Sequence, residues 1–262
     1  MKHIRTLTFI GGLVLMALAF GFIFRVPLAL NIWPWEDGRY SYLFVGSILA
    51  AVSAAALWIG WSGELGALPA GSLNIFVIAL TSSIYFFKLG LADGRTNLIP
   101  FGIASIVMAL ASAIAFWWSR RIPLRESQPT PWLVKASFVI FIVLLLLAGG
   151  ALVLHEPVFP WNLNPDSSVI FGCILIGDAF YFLYGLLYPG WKNAIGQLLS
   201  FLAYDLVLIV PFLSLFNTVP PERVFNLFVY VAVLVYSGAL AIYFLFIQPQ
   251  TRLGRQPATR LL

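Results

Sequence analysis

Eight times along this chain, a stretch of roughly 20 residues passes with almost no charge, which is the length a helix needs to cross the hydrocarbon of a bilayer. The stretches lie at about Leu7–Phe24, Tyr40–Trp61, Leu73–Leu91, Leu98–Trp118, Trp132–Leu154, Val169–Tyr188, Leu198–Phe216 and Phe225–Ile247. Helices satisfy all their backbone groups internally, so they can sit in lipid where other open structures cannot. The intervening segments SGELGALPAG, ADGRTN and NTVPPER carry the Gly, Pro, Asn and Asp that break helices. The alternating short segments of a membrane barrel are not seen. Only 10% of the 262 residues are charged, against about 25% in soluble domains. The 16% aromatic content excludes a disordered chain. The expected fold is an all-α integral membrane protein of about eight transmembrane helices, with the lipid bilayer as its first partner and a bound lipid expected.

The net charge of +5 reports orientation in such a chain rather than affinity for nucleic acid. With eight spans both termini fall on one side. Placing them in the cytoplasm leaves only Arg25, Arg39, Lys88, Arg95 and Arg223 outside and the other ten of the 15 basic residues inside, which favours cytoplasmic termini. The start MKHIRTLTFIGGLVLMALAF has the basic head and apolar core of a signal peptide. It is read as a retained first helix, because the internal repeat gives it a counterpart in the fifth span.

That repeat joins residues 34–49, PWEDGRYSYLFVGSIL, to residues 160–175, PWNLNPDSSVIFGCIL, without a gap at an offset of 126. Pro, Trp, Ser, Gly, Ile and Leu are shared. The simplest account is duplication of a four-helix unit, residues 1–125 and 126–250, followed by a basic tail over 251–262. Four is even, so the two repeats run parallel, related by a pseudo-twofold along the membrane normal. Pro34 and Pro160 suit a non-helical approach to the membrane, and the rings of Trp35 and Trp161 are expected at the headgroup level as outer-face anchors. Ser41 and Ser167 are placed to cap the following helices. Gly46 and Gly172 would let a neighbouring helix come close.

The strings IWPWEDGRYSYLFVG and VFPWNLNPDSSVIFG resemble the Trp/Phe-Pro-Trp segments of a loose group of uncharacterised bacterial multi-pass membrane proteins. The first copy departs from the Pro-rich form by carrying Glu36, Asp37 and Gly38. The resemblance implies a bacterial inner-membrane protein and carries over no function.

Ionisable residues inside a span mark functional candidates. Lys88, Lys135, Arg25, His155 and Glu156 all fall near span ends, where long side chains reach the interface. Asp178, near the midplane of the sixth span, and Asp205, in the seventh and closer to the cytoplasmic side, have no basic residue at similar depth. A carboxyl group there must be neutral or held by donors. Tyr181 and Tyr188 share its side of the sixth helix, and Gln197, Ser200, Tyr204 and Asp205 share one broad face of the seventh. Asp178, Asp205, Tyr181, Tyr204 and Gln197 are therefore candidates for a proton- or ligand-binding site between those helices, or for an interhelical clamp. The corresponding first-half positions are Val52 and Ala79, so such a site would be asymmetric. In the second span, Gly46, Ala50 and Ala54, with Ser47, Ala51 and Ala55, form small-residue rows that suit helix packing, within the chain or against another subunit.

No cofactor is evident. His3 and His155 supply no paired axial ligands for haem b, and Cys173 alone cannot hold an iron–sulfur cluster. No metal site is expected, and no HExxH, GxSxG or Walker motif occurs. The leading expectation is a non-catalytic accessory or structural subunit of a membrane assembly, or a homo-oligomer. The alternative is a carrier or binder of a small or lipophilic molecule using Asp178. A lipid-modifying enzyme would have to rest on Asp178 and Asp205 alone.

Overall fold

The computed structural model describes residues 1–126 and 128–254. Arg255 and Arg260 of the expected basic tail lie outside the described residues. Among the described residues, eight helices are long and apolar enough to cross a bilayer, as the composition requires. They are α1 (Lys2–Ile23), α3 (Arg39–Ser62), α4 (Leu68–Phe87), α5 (Ile99–Ser119), α6 (Trp132–Val153), α7 (Pro165–Leu187), α8 (Trp191–Leu215) and α9 (Val224–Ile242), with a short α2 (Pro27–Leu30) after the first. Proline opens α2, α4, α5 and α7, where its missing N–H costs nothing. Helix α8 starts at Trp191 rather than near Leu198. Its polar first turns looked like a loop, yet Asn193 and Gln197 are buried and Lys192 pairs with Glu126 at 3.3 Å.

Consecutive long helices alternate in direction, giving a terminal face that carries the N-terminus and a Pro-Trp face that carries residues 24–38 and 154–164. The helices pair as hairpins α1/α3, α4/α5, α6/α7 and α8/α9, and the hairpins join through α3 against α8 and α4 against α7. Helices α3 and α4, although consecutive, touch only slightly, and so do α7 and α8. The two cross-contacts correspond under the offset of 126. Asn74 of α4 sits where a Cβ on Gly177 of α7 would fall, 2.9 Å from its Oδ1, while Ser200 of α8 donates to the Ala51 carbonyl of α3 at 2.9 Å.

The small residues of α3 serve this packing. A Cβ on Gly46 would meet Ile23 Cγ1 at 2.7 Å and the Ala19 carbonyl at 3.1 Å, and one on Gly172 would meet the Gly149 carbonyl at 2.6 Å and Val153 Cγ2 at 2.7 Å. Ala19 and Gly149, like Ile23 and Val153, are separated by 130 residues, not 126. The first and fifth spans thus correspond four positions away from the expected register, and the four residues of α2 make up the difference. Both spans end in the same left-handed cap: Arg25 has φ 56° and His155 φ 63°, while Val26 N donates to Gly21 O at 2.8 Å and Glu156 N to Ala151 O at 2.9 Å.

On the Pro-Trp face the aromatic anchors turn inward. Pro160 is buried, and Trp161, 9% exposed, stacks on Phe159 with centroids 4.5 Å apart. Its Nε1 donates to Ser41 Oγ at 3.2 Å. Trp35, beside the half-buried Pro34, stacks on Phe86, and its Nε1 has no partner among the described residues. Trp161 packs among Phe159, Tyr40 and Phe212, and Trp35 between Trp33 and Phe86, so both rings are engaged within the chain. Nor do the serines cap. Gly38 and Asn164 occupy the N-cap positions, and only Asn164 caps through its side chain. Ser41 instead receives Trp161, and Ser167 donates to Asp37. Asp37 also accepts from Trp33 Nε1 at 2.8 Å. Burial raises the Asp37 carboxyl above its ordinary value, partly offset by the hydrogen bonds from Ser167 and Trp33. Beside it, Asp166 pairs with Arg95 at 2.7 Å and accepts from the Tyr85 hydroxyl at 2.8 Å.

Candidate functional site

Asp178 lies just past the middle of α7, where the chain runs GCILIGDAFYF. Gly177 beside it has no side chain, so α4 comes close enough for Asn74 Nδ2 to donate to Asp178 Oδ1 at 2.8 Å. The donor therefore comes from the first half of the chain and from α4, not from the tyrosines of α7. Tyr188 is 60% exposed at the terminal end of the helix and stands away from the site.

Asp205 is only 5% exposed. Because α8 begins earlier than its apolar run, Asp205 sits slightly on the Pro-Trp side of the middle, a correction to the depth read from the sequence. Its Oδ2 accepts from Ser237 Oγ of α9 at 2.9 Å, and its Oδ1 has no partner among the described residues. Gly238, next to Ser237, leaves room for the carboxyl: a Cβ there would come within 3.3 Å of Oδ2. The neighbouring Tyr204 hydroxyl bonds to the Tyr230 hydroxyl of α9.

Both carboxyl groups line one cavity of about 360 Å³. Its walls come from α3, α4, α6, α7, α8 and α9, so the site is not confined to the sixth and seventh spans. Asp178, Asp205, Tyr181 and Tyr204 are brought together there, joined by Asn74, Ser200, Tyr230 and Ser237. Tyr181, Ser200 and the Ala51 carbonyl form a chain across three helices, at 3.5 and 2.9 Å. Gln197 is not part of the wall. It is fully buried and donates to the Tyr181 carbonyl at 2.6 Å, fastening α8 to α7 beneath the cavity. The rest of the lining is apolar, with Phe141, Phe182 and Phe201 clustered at centroid distances of 4.5 to 5.9 Å.

The cavity is not sealed. Leu144 of α6 and Phe225 and Val229 of α9 line it and are also exposed on the apolar outer surface, by 40%, 73% and 39%. Helices α6 and α9 meet through Ser137 and Tyr236, 2.7 Å apart on the terminal side, and on the Pro-Trp side Asn226 of α9 donates to the Pro157 and Val158 carbonyls of the segment that follows α6. Between those two ties the opening faces the region that lipid would occupy. A smaller polar cavity of about 180 Å³, lined by His155, Glu156, Asn162, Trp161 and Arg223, lies above it on the Pro-Trp face and shares Val158 and Phe159 with it. Among the described residues no three His, Cys, Asp or Glu gather into a metal-holding group.

Asn74, Tyr230 and Ser237 were missed from the sequence. Each is one of several polar residues in its span, and nothing in the span's own pattern singles it out; only the pairing of α4 with α7 and of α8 with α9 brings them to the carboxyl groups. Compared with known proteins, the chain matches no family model, no curated protein and no solved structure.

Proposed function

We propose that this protein binds, and carries across or along its membrane, a small lipophilic molecule held in the cavity between α6, α7, α8 and α9. The observation that carries this reading is the single cavity into which both intramembrane carboxyl groups face, open sideways between α6 and α9. Buried ionisable groups in lipid are costly and are retained where they act, and an apolar cleft with a few convergent polar groups is the usual form of a small-molecule site. A helix clamp would need only the pairs Asn74–Asp178 and Ser237–Asp205. It would not need the volume between them.

The small-residue rows of α3 suit packing within the chain or against another subunit. Several of them are engaged within the chain: a Cβ on Gly46 would meet Ile23 and Ala19 of α1, and Ser47, Ala50 and Ala55 are buried. The excess of basic residues on the terminal face supports cytoplasmic termini in a bacterial inner membrane. The matching close approaches of Gly46 and Gly172, and of Asn74 and Ser200, support an origin by duplication of four helices.

Native mass spectrometry of the protein extracted gently from its own membrane tests this. The expected result is a lone chain or homo-oligomer that retains a defined small molecule, and that loses it when Val233→Trp fills the cavity. A complex with other polypeptides and no retained molecule would return the accessory reading to first place.

A further inference from the structure

The cavity's polar groups specify more than a lipophilic guest. Among the described residues its walls contain two carboxyl groups and no Lys, Arg or His. Donors are short. Asp178 receives one hydrogen bond, from Asn74. Asp205 shares the single hydroxyl proton of Ser237 with the carbonyls of Val233 and Leu234, 2.8 and 3.2 Å away, and its Oδ1 is buried without a partner among the described residues. The Tyr204 and Tyr230 hydroxyls face each other. An acceptor buried without a donor is destabilising, and a purely apolar guest would leave it so. An anionic guest would meet two carboxyl groups with no counter-charge. A guest bringing its own N–H donors and a positive charge satisfies both conditions, since an ammonium offers three donors and accepts nothing. The aromatic cluster of Phe141, Phe182 and Phe201 adds ring faces of the kind that attract cations.

Resting on the reading of this cavity as a binding site, we infer that its ligand is an amphipathic amine. The protonated nitrogen sits between Asp178 and Asp205, and the hydrocarbon part lies along Leu144 and Val229 towards the opening between α6 and α9. A volume of about 360 Å³ lies near the lower end of the range of ligand cavities, ~300–1,000 Å³, which suits one chain or one ring system rather than a two-chain lipid.

The test uses the full-length protein in phosphatidylcholine nanodiscs and three probes of equal chain length: dodecylamine, dodecanol and dodecanoate. Each is measured by competition against a radiolabelled copy of itself. Dodecylamine is expected to bind at least about tenfold more tightly than dodecanol, the equivalent of one charge-assisted hydrogen bond, with dodecanoate weakest. The double variant Asp178→Asn/Asp205→Asn should bind amine and alcohol alike. Equal binding of all three by the wild-type protein, or a preference for dodecanoate, overturns the amine inference and leaves the cavity as a binding site. Saturable binding of none of them overturns both. The wild-type comparison decides by itself if the double variant does not fold.

Discussion

Asn74 and Asp178, 104 residues apart in the chain, meet at 2.8 Å between α4 and α7. That bond joins the first half of the sequence to the second at the depth where a stray carboxyl group is least welcome, and Gly177 makes the approach possible. A double-mutant cycle of Asn74→Ala with Asp178→Asn, read by unfolding in detergent, should give a coupling of about 0.6–1.7 kcal/mol, the range found for interhelical hydrogen bonds in membranes. Strict additivity of the two substitutions would remove Asn74 from its assigned role.

Gly172 predicts a steric effect with its own control. A Cβ there falls 2.6 Å from the Gly149 carbonyl, which is backbone and cannot swing aside, whereas a Cβ on Gly150 meets nothing within 4 Å. Gly172→Ala should cost about 1–3 kcal/mol by overpacking, and Gly150→Ala should leave the thermal midpoint unchanged. Similar midpoints for the two variants would mean that α6 and α7 do not pack this closely.

The two Trp side chains should respond differently to the same change. Trp161→Phe keeps a ring on Phe159 but removes the donor to Ser41, and should cost about 0.5–1.5 kcal/mol beyond the change in ring size. Trp35→Phe removes an N–H that has no partner among the described residues, and should cost less. If Trp35→Phe proved the more damaging in thermal unfolding, the inward placement of the two rings would need revision.

Asp37 sets a pH dependence of definite sign. Burial raises its carboxyl in the folded protein above the ordinary value of 3.8, so the folded state keeps a proton that the unfolded chain gives up. Its contribution to stability is then fully present below the unfolded value and is lost as pH rises through the raised one. Relative to Asp37→Asn, the wild-type thermal midpoint should fall between acid and neutral pH. A midpoint that rose over that interval would contradict the burial of Asp37.

Much of this arrangement was legible in the sequence, and the reasons for the rest are physical. Eight apolar runs announce eight spans because lipid punishes a charge wherever it falls. The polar start of α8 was hidden, since Asn193 and Gln197 are buried by packing that no local pattern reveals. Asp178 and Asp205 stood out as costly groups, and the structure gives them a common cavity. Their partners Asn74 and Ser237 did not, because one Asn or Ser within a span is common and its meaning depends on which helix lies opposite. The contacts of the Trp rings within the chain were not legible, because an amphipathic ring at a span boundary shows only its place along the helix and not what packs on it. The first span's correspondence with the fifth was obscured by the four residues of α2.

The weak contact between α3 and α4, and between α7 and α8, bears on how the chain is made. The inner helices of each half pack on a hairpin partner and on an inner helix of the other half, and hardly on each other. At a synthesis rate of about 5–20 residues per second, α3 and α4 would wait on the order of ten seconds before α7 and α8 emerge. Through that interval the newborn first half sits in the membrane with Asn74 bonded to nothing it will finally hold. Biogenesis therefore has a vulnerable period, in which an insertase or chaperone that shields the unpaired faces of α3 and α4 would decide the yield of folded protein.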